Sequence, residues 1–571
     1  MTGDLALLAR TAVHLHPGQV VRRAWLRAQR RMLRRWPQAG RRLLAGPDPR
    51  GAAGWPAAFL PLDSRTTHEW PTLNDLQDGK IRLLGTTGDF GDPADWVQAE
   101  APQLWRFHLH YWDWAWGLAV DLDRATARSV FARIWRSWQA MVIFGRGDAW
   151  LPYPTALRAW SWCGLYRDLV ASSELEGCFV QELSAHVGYL RRNLESDIGG
   201  NHLIKDLKAL IGLAIFFADE GMLRRAIRRL TAEIAVQVLP DGGHYERAPA
   251  YHCQVLTDLI DVVELLQSTG RAPGVEVTEA ITCMRRWLGS VLLPGGQVPL
   301  LNDGYPIPAE LIAALRPAPP PTGPLQILTD TGLVRAAIGG WHLLADVGAP
   351  CPDELPGHAH ADTLGCLVHV DGSPLLVDVG TSTYAPGPVR GYERSTAAHN
   401  TVEIDGVDST EVWGAFRAAR RARVHGLKTR GTTDLVTIEA AHDGFRRLRG
   451  CPAHRRRWSL NASGLRVDDL VTGSGRHRVT VRWHLAPGSA VRLEAGGAVV
   501  TTAVGVFLVT VGASCPLKLA IESGQLAVGF LRTTAAPVLT FRSNAVLPVR
   551  VTTCWRRARE WSRTGDAEEV A

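Results

Sequence analysis

Between about Leu104 and Leu293, apolar positions recur at helical spacing in long segments with short breaks. The segments read LWRFHLHYWDWAWGLAV, ARSVFARIWRSWQAMVIF, TALRAWSWCGLYRDLV, VQELSAHVGYLRRNLE, NHLIKDLKALIGLAIFFADE, MLRRAIRRLTAEIAVQVL, PAYHCQVLTDLIDVVELLQ and VTEAITCMRRWLGSVLL. In the fifth, Leu203, Leu207, Leu210, Ala214 and Phe217 make one apolar stripe. Successive helices with such short links suit antiparallel hairpins that close on themselves, an all-helical domain. The proline run LRPAPPPTGP, from Leu315 to Pro324, cannot continue a helix and reads as a stiff linker. Beyond it the text changes to short β-branched runs such as GLVRAAI, LGCLVHV, PLLVDV, HRVTVRWHL and VGVFLVTV, separated by Gly, Asp and Pro. That pattern predicts a many-stranded antiparallel sandwich, with Asp371-Gly372 and Asp405-Gly406 as hairpin turns. The predicted organisation is a basic helical and extended segment (1–95), a helical domain (96–314) and an antiparallel β-sandwich (315–571).

Upstream, residues 18–36 form a basic amphipathic segment. Val21, Trp25, Met32 and Trp36 fall on one helical face, and Arg23, Arg27, Arg30, Arg31, Arg34 and Arg35 crowd the rest. Such a helix either docks on the protein or touches a membrane surface or an anionic polymer. The Pro/Gly-rich stretch 46–61 is expected to loosen the chain, and the charged tail from Trp555 onward to fray. Composition is ordinary for a globular protein, 46% apolar and 21% charged, which excludes wholesale disorder. Sixty-three basic against fifty-six acidic residues leave +7, compatible with an acidic ligand without choosing among polysaccharide, nucleic acid and lipid headgroups. The 21 tryptophans are either large core residues or ring platforms for sugars. Nine scattered cysteines with no CxxC pair indicate neither a disulfide framework nor a zinc ribbon. The opening MTGDLALLARTAVHLHPGQ lacks the features of a secretory signal, and no apolar run reaches membrane-spanning length, so the expectation is a cytoplasmic protein.

The densest polar cluster starts at Gly357-His358-Ala359-His360-Ala361-Asp362. On an extended strand alternate side chains share a face, so His358 and His360 can serve one site. The hairpin through Pro374 returns Asp378 toward it, and Arg394 to Thr401 offers His399. Imidazoles with one carboxylate are the ligand set zinc prefers, and His360, Asp378 and His399 are the candidates; hydrogen-bonded histidines closing a buried polar network are the alternative. In the helical domain, Gly199-Gly200-Asn201-His202 marks a helix start with Asn201 as its cap, where an amide and an imidazole can pair with an anion. The polar loop from Asp241 to His252 reads as a cleft wall leading into a helix that begins with Tyr251 and His252.

The stretches GGNHLIKDLKAL, DGGHYERAPAYH, HAHADTLGCLVHVDGSPLLVDVGT and RSTAAHNTVEIDG resemble, in order and separation, the signatures of the heparinase II/III-like family. Softer matches in LWRFHLHYWDW and WLPYPTALRAW extend the likeness over about residues 100–485. The resemblance implies an incomplete (α/α) toroid followed by an antiparallel β-sandwich, with a cleft between them. It implies β-elimination on a uronic-acid polysaccharide, one structural zinc on His360, Asp378 and His399, and catalytic roles for Asn201, His202, Tyr251 and His358. In that chemistry a base removes the proton α to the uronate carboxylate, an acid protonates the departing sugar oxygen, and donors neutralise the carboxylate. Arg158, Glu246 and Arg394 are the substrate-binding candidates. The expected partner is an anionic polysaccharide or oligosaccharide, not a nucleic acid. One departure stands out: Lys205 occupies a position where some relatives carry glutamate, and it is expected to depress the pKa of His202. Two rivals remain: a non-catalytic carbohydrate-binding protein of an exopolysaccharide assembly pathway, and a glycoside hydrolase using two of Asp241, Glu246 and Asp303.

Overall fold

Each apolar stripe of the helical region folds as a helix in the computed structural model, which describes residues 2–558 except 57–58, 67–69 and 92–93. The helices run Gln103–Tyr111, Arg124–Met141, Pro152–Leu165, Glu176–Asn193, Gly200–Phe216, Glu220–Gln237, Pro249–Ser268 and Val275–Val291. The first segment departs from its expected continuity. Trp112 adopts left-handed geometry (φ 62°), and the chain resumes as a short turn and the helix Trp116–Val120. The tryptophans explain the break. Trp112, Trp114, Trp135, Trp138 and Trp162 are fully buried and pack on one another, with ring centroids 5.0 Å apart for Trp112–Trp114 and 4.9 Å for Trp138–Trp162. These rings are core and face no sugar; the platform reading fails for them.

The N-terminal segment forms helices Thr2–Ala12 and Pro17–Arg35. The second docks through buried Leu26 and Leu33, while Val21, Trp25 and Trp36 remain 69%, 43% and 57% exposed. The Pro/Gly stretch that follows is not loose. Ala53 and Gly54 both donate to the Phe216 carbonyl, Trp55 meets Trp160 edge-on at 5.2 Å, and Gly46 lies where a Cβ would fall 1.8 Å from the Ser184 carbonyl. A backbone pressed this closely on a neighbouring helix tolerates only glycine.

After the helix Ala309–Leu315 and the proline run, the chain becomes β from Leu325. A five-stranded antiparallel sheet (Leu325–Leu328, Leu333–Ile338, Trp341–Asp346, Cys366–Val370, Ser373–Leu376, in that order) lies beside a four-stranded and an eight-stranded sheet. Their inward faces share one core that includes Trp458, Trp483 and Trp555. Trp555 belongs to the strand Val549–Arg557, so the tail is ordered through that strand; its remainder from 559 lies outside the described residues. Both Asp-Gly turns have positive φ at each residue, as a two-residue hairpin turn requires. The two halves are stitched together by Asp241, whose Oδ2 accepts from the amides of Asp330 and Thr331 and from the Thr331 hydroxyl at 2.7–3.0 Å. None of the nine cysteines is paired; Cys163, Cys253, Cys351 and Cys366 are buried and Cys451 is exposed. No helix among the described residues is long and apolar enough to cross a membrane.

Candidate active site

The helix Gly200–Phe216 opens at the seam between the two halves. Its N-cap is Gly199, not Asn201, and no side chain of its own caps it. The loop expected as a cleft wall does that work: the Tyr245 hydroxyl accepts from the Gly200 amide at 2.9 Å, and Glu246 Oε1 from the Asn201 amide at 3.0 Å. The anion expected at this helix start is therefore the protein's own. Glu246 also takes both hydrogen bonds of the Asn201 side-chain amide, at 3.2 and 3.0 Å. Burial works against its charge, but His358, His244 and Asn201 hold its carboxyl below the usual glutamate range.

His358 Nε2 lies 3.6 Å from Glu246 Oε2, and the ring stacks on Tyr251 with centroids 3.8 Å apart. The Tyr251 hydroxyl hydrogen-bonds that of Tyr384 at 2.8 Å. Asn201, Glu246, His358 and Tyr251 thus form one contact chain across the seam. Burial first, then the neighbouring Tyr384, Tyr305 and Asp303, raise the Tyr251 phenol well above its ordinary value, so it rests protonated. His202 is the accessible member, its side chain 32% exposed, with Nδ1 3.0 Å from Glu195. Burial lowers its pKa, but Glu195 outweighs this and the net shift is upward. The depression expected from Lys205 does not occur. That lysine is buried, bonded to Asp258 at 2.8 Å in a network with Lys208 and Asp261.

Residues 357–362 are not a strand, yet both histidines converge as expected, because Asp303 reaches them from the last stretch of the helical half. Its Oδ2 bonds His358 Nδ1 at 2.8 Å and its Oδ1 bonds His360 Nε2 at 2.9 Å. Arg390 grips the same carboxylate with two nitrogens and lies over the Tyr384 ring. Asp303, Arg390 and Tyr384 are the site residues that sequence reasoning did not assign. Asp303 was counted only as an available acid, and no local spacing links it to residues 55 to 87 positions away.

Two substrate-binding candidates are corrected. Arg158 is fully buried among Trp138, Trp150 and Trp162 and donates to His186 and the His110 carbonyl. Arg394, 1% exposed, donates to the carbonyls of Ala359, Gly414 and Arg417. Both guanidiniums are turned into the interior, and neither is open to a ligand. Glu246, the third candidate, is buried against Asn201.

Of the candidate metal ligands, His360 and His399 come together with ring centroids 5.4 Å apart, and Asp378 Oδ2 bonds His399 Nδ1 at 2.8 Å. His360 Nδ1, His399 Nε2 and both carboxylate oxygens of Asp362 are buried without a hydrogen-bond partner. As the side chains stand, no three His, Cys, Asp or Glu among the described residues are grouped to hold a metal ion.

A helical toroid on an antiparallel sandwich, with a polar cluster in the seam, is the architecture of heparinase and chondroitinase lyases. Over 89% of this chain and 88% of theirs, the fold matches "Heparinase III" with a TM-score of 0.75 at 15% identity. It matches the heparan sulfate lyase HepC of Pedobacter heparinus with a TM-score of 0.58 at 16% identity, covering 94% and 89%. Residues 145–316 match the model "Heparinase II/III N-terminus" and 320–560 the model "Heparinase II/III-like, C-terminal". The chain belongs to the heparinase II/III-like family. A curated relative, "FtsZ-localized protein C" of Caulobacter vibrioides (strain NA1000 / CB15N), is 26% identical over 488 residues, covering 80% of this chain and 81% of that one.

Proposed function

We propose that the protein is a lyase that cleaves a uronic-acid polysaccharide by β-elimination. The observation that carries this reading is the Asn201–Glu246–His358–Tyr251 chain of contacts along one seam, in which we assign His358 as the base and Tyr251 as the acid. In the tautomer whose Nδ1 donates to Asp303, His358 Nε2, 3.6 Å from Glu246, is the atom that takes the proton α to the uronate carboxylate. As the C–O bond to the neighbouring sugar breaks, the protonated Tyr251 supplies the proton to the departing oxygen, and the double bond forms between the two ring carbons. Tyr384, hydrogen-bonded to Tyr251, is placed to return a proton afterwards. His202, 3.0 Å from Glu195, which favours its charged form, is the donor open to the substrate carboxylate.

The test is to incubate the protein with a panel of uronate polymers and follow absorbance of the new C=C–carboxylate. Tyr251→Phe and His358→Ala are each expected to lose about 100-fold or more in rate; undiminished turnover in either rejects the assignment. Product mass separates this from hydrolysis, which adds water across the bond. A second reading, a non-catalytic carbohydrate-binding protein, is favoured by one feature. Glu246 already holds both N–H groups of Asn201 and the helix start that a uronate would use. The name of the Caulobacter relative, which gives a location and no reaction, agrees with it. Absence of unsaturated product across the panel, with retained binding, supports that reading over the first.

The unpartnered nitrogens of His360 and His399 and the free oxygens of Asp362 fit a divalent cation, because buried polar atoms otherwise find hydrogen-bond partners. His360 and His399 would hold one zinc through these nitrogens with Asp362 as an oxygen donor, and Asp378, bonded to His399 Nδ1, would join them as the expected third ligand only on leaving that bond. The ion would supply structure, fixing the loop whose other histidine is His358. Elemental analysis is expected to find one zinc per chain, lost in His360→Ala.

A further inference from the structure

Where the first helix ends against the sandwich, a cavity of about 350 Å³ opens, and none of the residues lining it belongs to the site described above. The contact that forms it is specific: Arg10 meets Glu411 at 3.1 Å, and Trp413 Nε1 donates to the Thr11 hydroxyl at 3.0 Å. These bonds bring His14 over a wall carrying Arg420, Arg421, Arg423 and Arg447, with Asp353 and Asp443 as the acidic residues of the lining. Two of those arginines are held by the protein. Arg447 caps the carbonyls of Asp408, Ser409 and Gly444, and Arg420 leans on Glu411 at 3.3 Å.

Arg421 is different. Its side chain is 5% exposed, and Nη1 donates to the Asp353 carbonyl at 2.5 Å and to its carboxylate at 3.0 Å. Nε and Nη2 are buried and meet no acceptor. These two N–H groups share one edge of the guanidinium plane, the edge that binds two oxygens of a single oxyanion side by side. Buried donors almost always find an acceptor, and Arg421 lines a cavity large enough to hold one. Four arginines against Asp353 and Asp443 leave the lining positive. His14 is held below the ordinary imidazole value, by burial first and then by Arg421. A carboxylate would engage the Arg421 edge alone. The exposed Arg423 on the same wall adds charge that a dianion uses, and Ala349, Pro350 and Ala422 offer apolar contact for the body that carries it.

We infer that this cavity binds a phosphate monoester on a body about the size of a sugar, with the Arg421 edge as its bidentate anchor. A volume of this order lies at the small end of ligand pockets. Two sources share the chemistry, a soluble sugar phosphate and the headgroup of a lipid such as phosphatidic acid.

The experiment titrates the full chain calorimetrically with inorganic phosphate and glucose 1-phosphate, and floats it with phosphatidylcholine vesicles with and without phosphatidic acid. The expected result is one saturable site for the soluble phosphates. Arg421→Gln and Arg423→Gln should each weaken it at least tenfold, Arg421→Lys should not restore it, and Tyr251→Phe should leave it unchanged. Arg423 is exposed, so its variant keeps the test decisive if Arg421→Gln fails to fold. Silence with both soluble phosphates, together with arginine-dependent capture by phosphatidic acid vesicles, also supports the site and assigns the lipid source. The inference is overturned if no phosphate binds in either form, if binding survives both glutamine substitutions, or if it falls with Tyr251→Phe.

Discussion

Asp303 serves five side-chain nitrogen and oxygen donors with two oxygens: His358, His360, Arg390 through both terminal nitrogens, and Thr381. Arg390 is the largest stabilising charge on it, and against the cost of burial it holds the carboxyl well below the aspartate range. Asp303→Asn keeps the shape but removes the charge, leaving Arg390 buried and uncompensated. The expected outcome is a loss of about 3 kcal/mol or more in urea unfolding and a fall in lyase rate comparable to His358→Ala. His202 makes a pH-dependent prediction. Its folded pKa lies above its ordinary value of 6.5 because Glu195 outweighs burial. The pair therefore contributes stability that is complete below about 6.5 and lost as pH rises through the folded value. An NMR titration of the ring should give a midpoint above 6.5 that drops in Glu195→Gln; equal midpoints would refute the pairing. The difference between what the sequence displayed and what it concealed is plain at this scale. Asn201, His202, Tyr251 and His358 sit in local strings that can be matched, whereas the role of Asp303 exists only after residues 303, 358 and 390 are folded together.

At the scale of the element, the helix Gly200–Phe216 carries a cap built from another part of the chain. Gly200 has φ +59°, and a Cβ there would fall 1.8 Å from Glu246 Oε1 and 2.7 Å from Leu355 Cδ2. Gly200→Ala therefore strains the backbone and displaces the carboxylate that caps the helix. The expected cost is about 1–3 kcal/mol in unfolding free energy, from strain and lost capping together, with a loss of activity because Glu246 also positions Asn201 and faces His358. A variant with wild-type stability and rate would show that the cap is dispensable. Helix stripes were legible because burial on one face writes the 3.6 period directly into the text. The docking of the Pro17–Arg35 helix was less so: Leu26 and Leu33 face the protein, while the Val21, Trp25 and Trp36 face that dominates the pattern points outward. The Pro/Gly stretch misled for a related reason. Glycine permits a loose chain, and it equally permits the close approach that Gly46 makes to Ser184.

For the whole molecule, the linear order of helices and then strands was readable, while the seam that makes the site was not, since its contacts join residues far apart in sequence. Asp241 is the clearest of these joints, accepting three hydrogen bonds from the first hairpin of the sandwich at Asp330 and Thr331. Those donors are largely shielded, and an orphaned shielded N–H costs about 1–3 kcal/mol. Two large units that meet through such polar joints and through an apolar cluster of Trp287, Val291 and Leu301 with Leu328, Leu333 and Leu344 unfold together only while the seam's coupling exceeds the difference between their own stabilities. Asp241→Ala removes three bonds of that coupling without touching the core of either half. The expected calorimetric trace changes from one transition to two, with the far-UV signal of the helices and the strand signal of the sandwich separating in temperature. Turnover should fall at the same time, because Tyr251 belongs to one half and His358 to the other. A single unshifted transition in the variant would mean that the other seam contacts, the Asp303–Arg390 grip and the apolar cluster around Trp287 and Leu333 among them, suffice to hold the halves together.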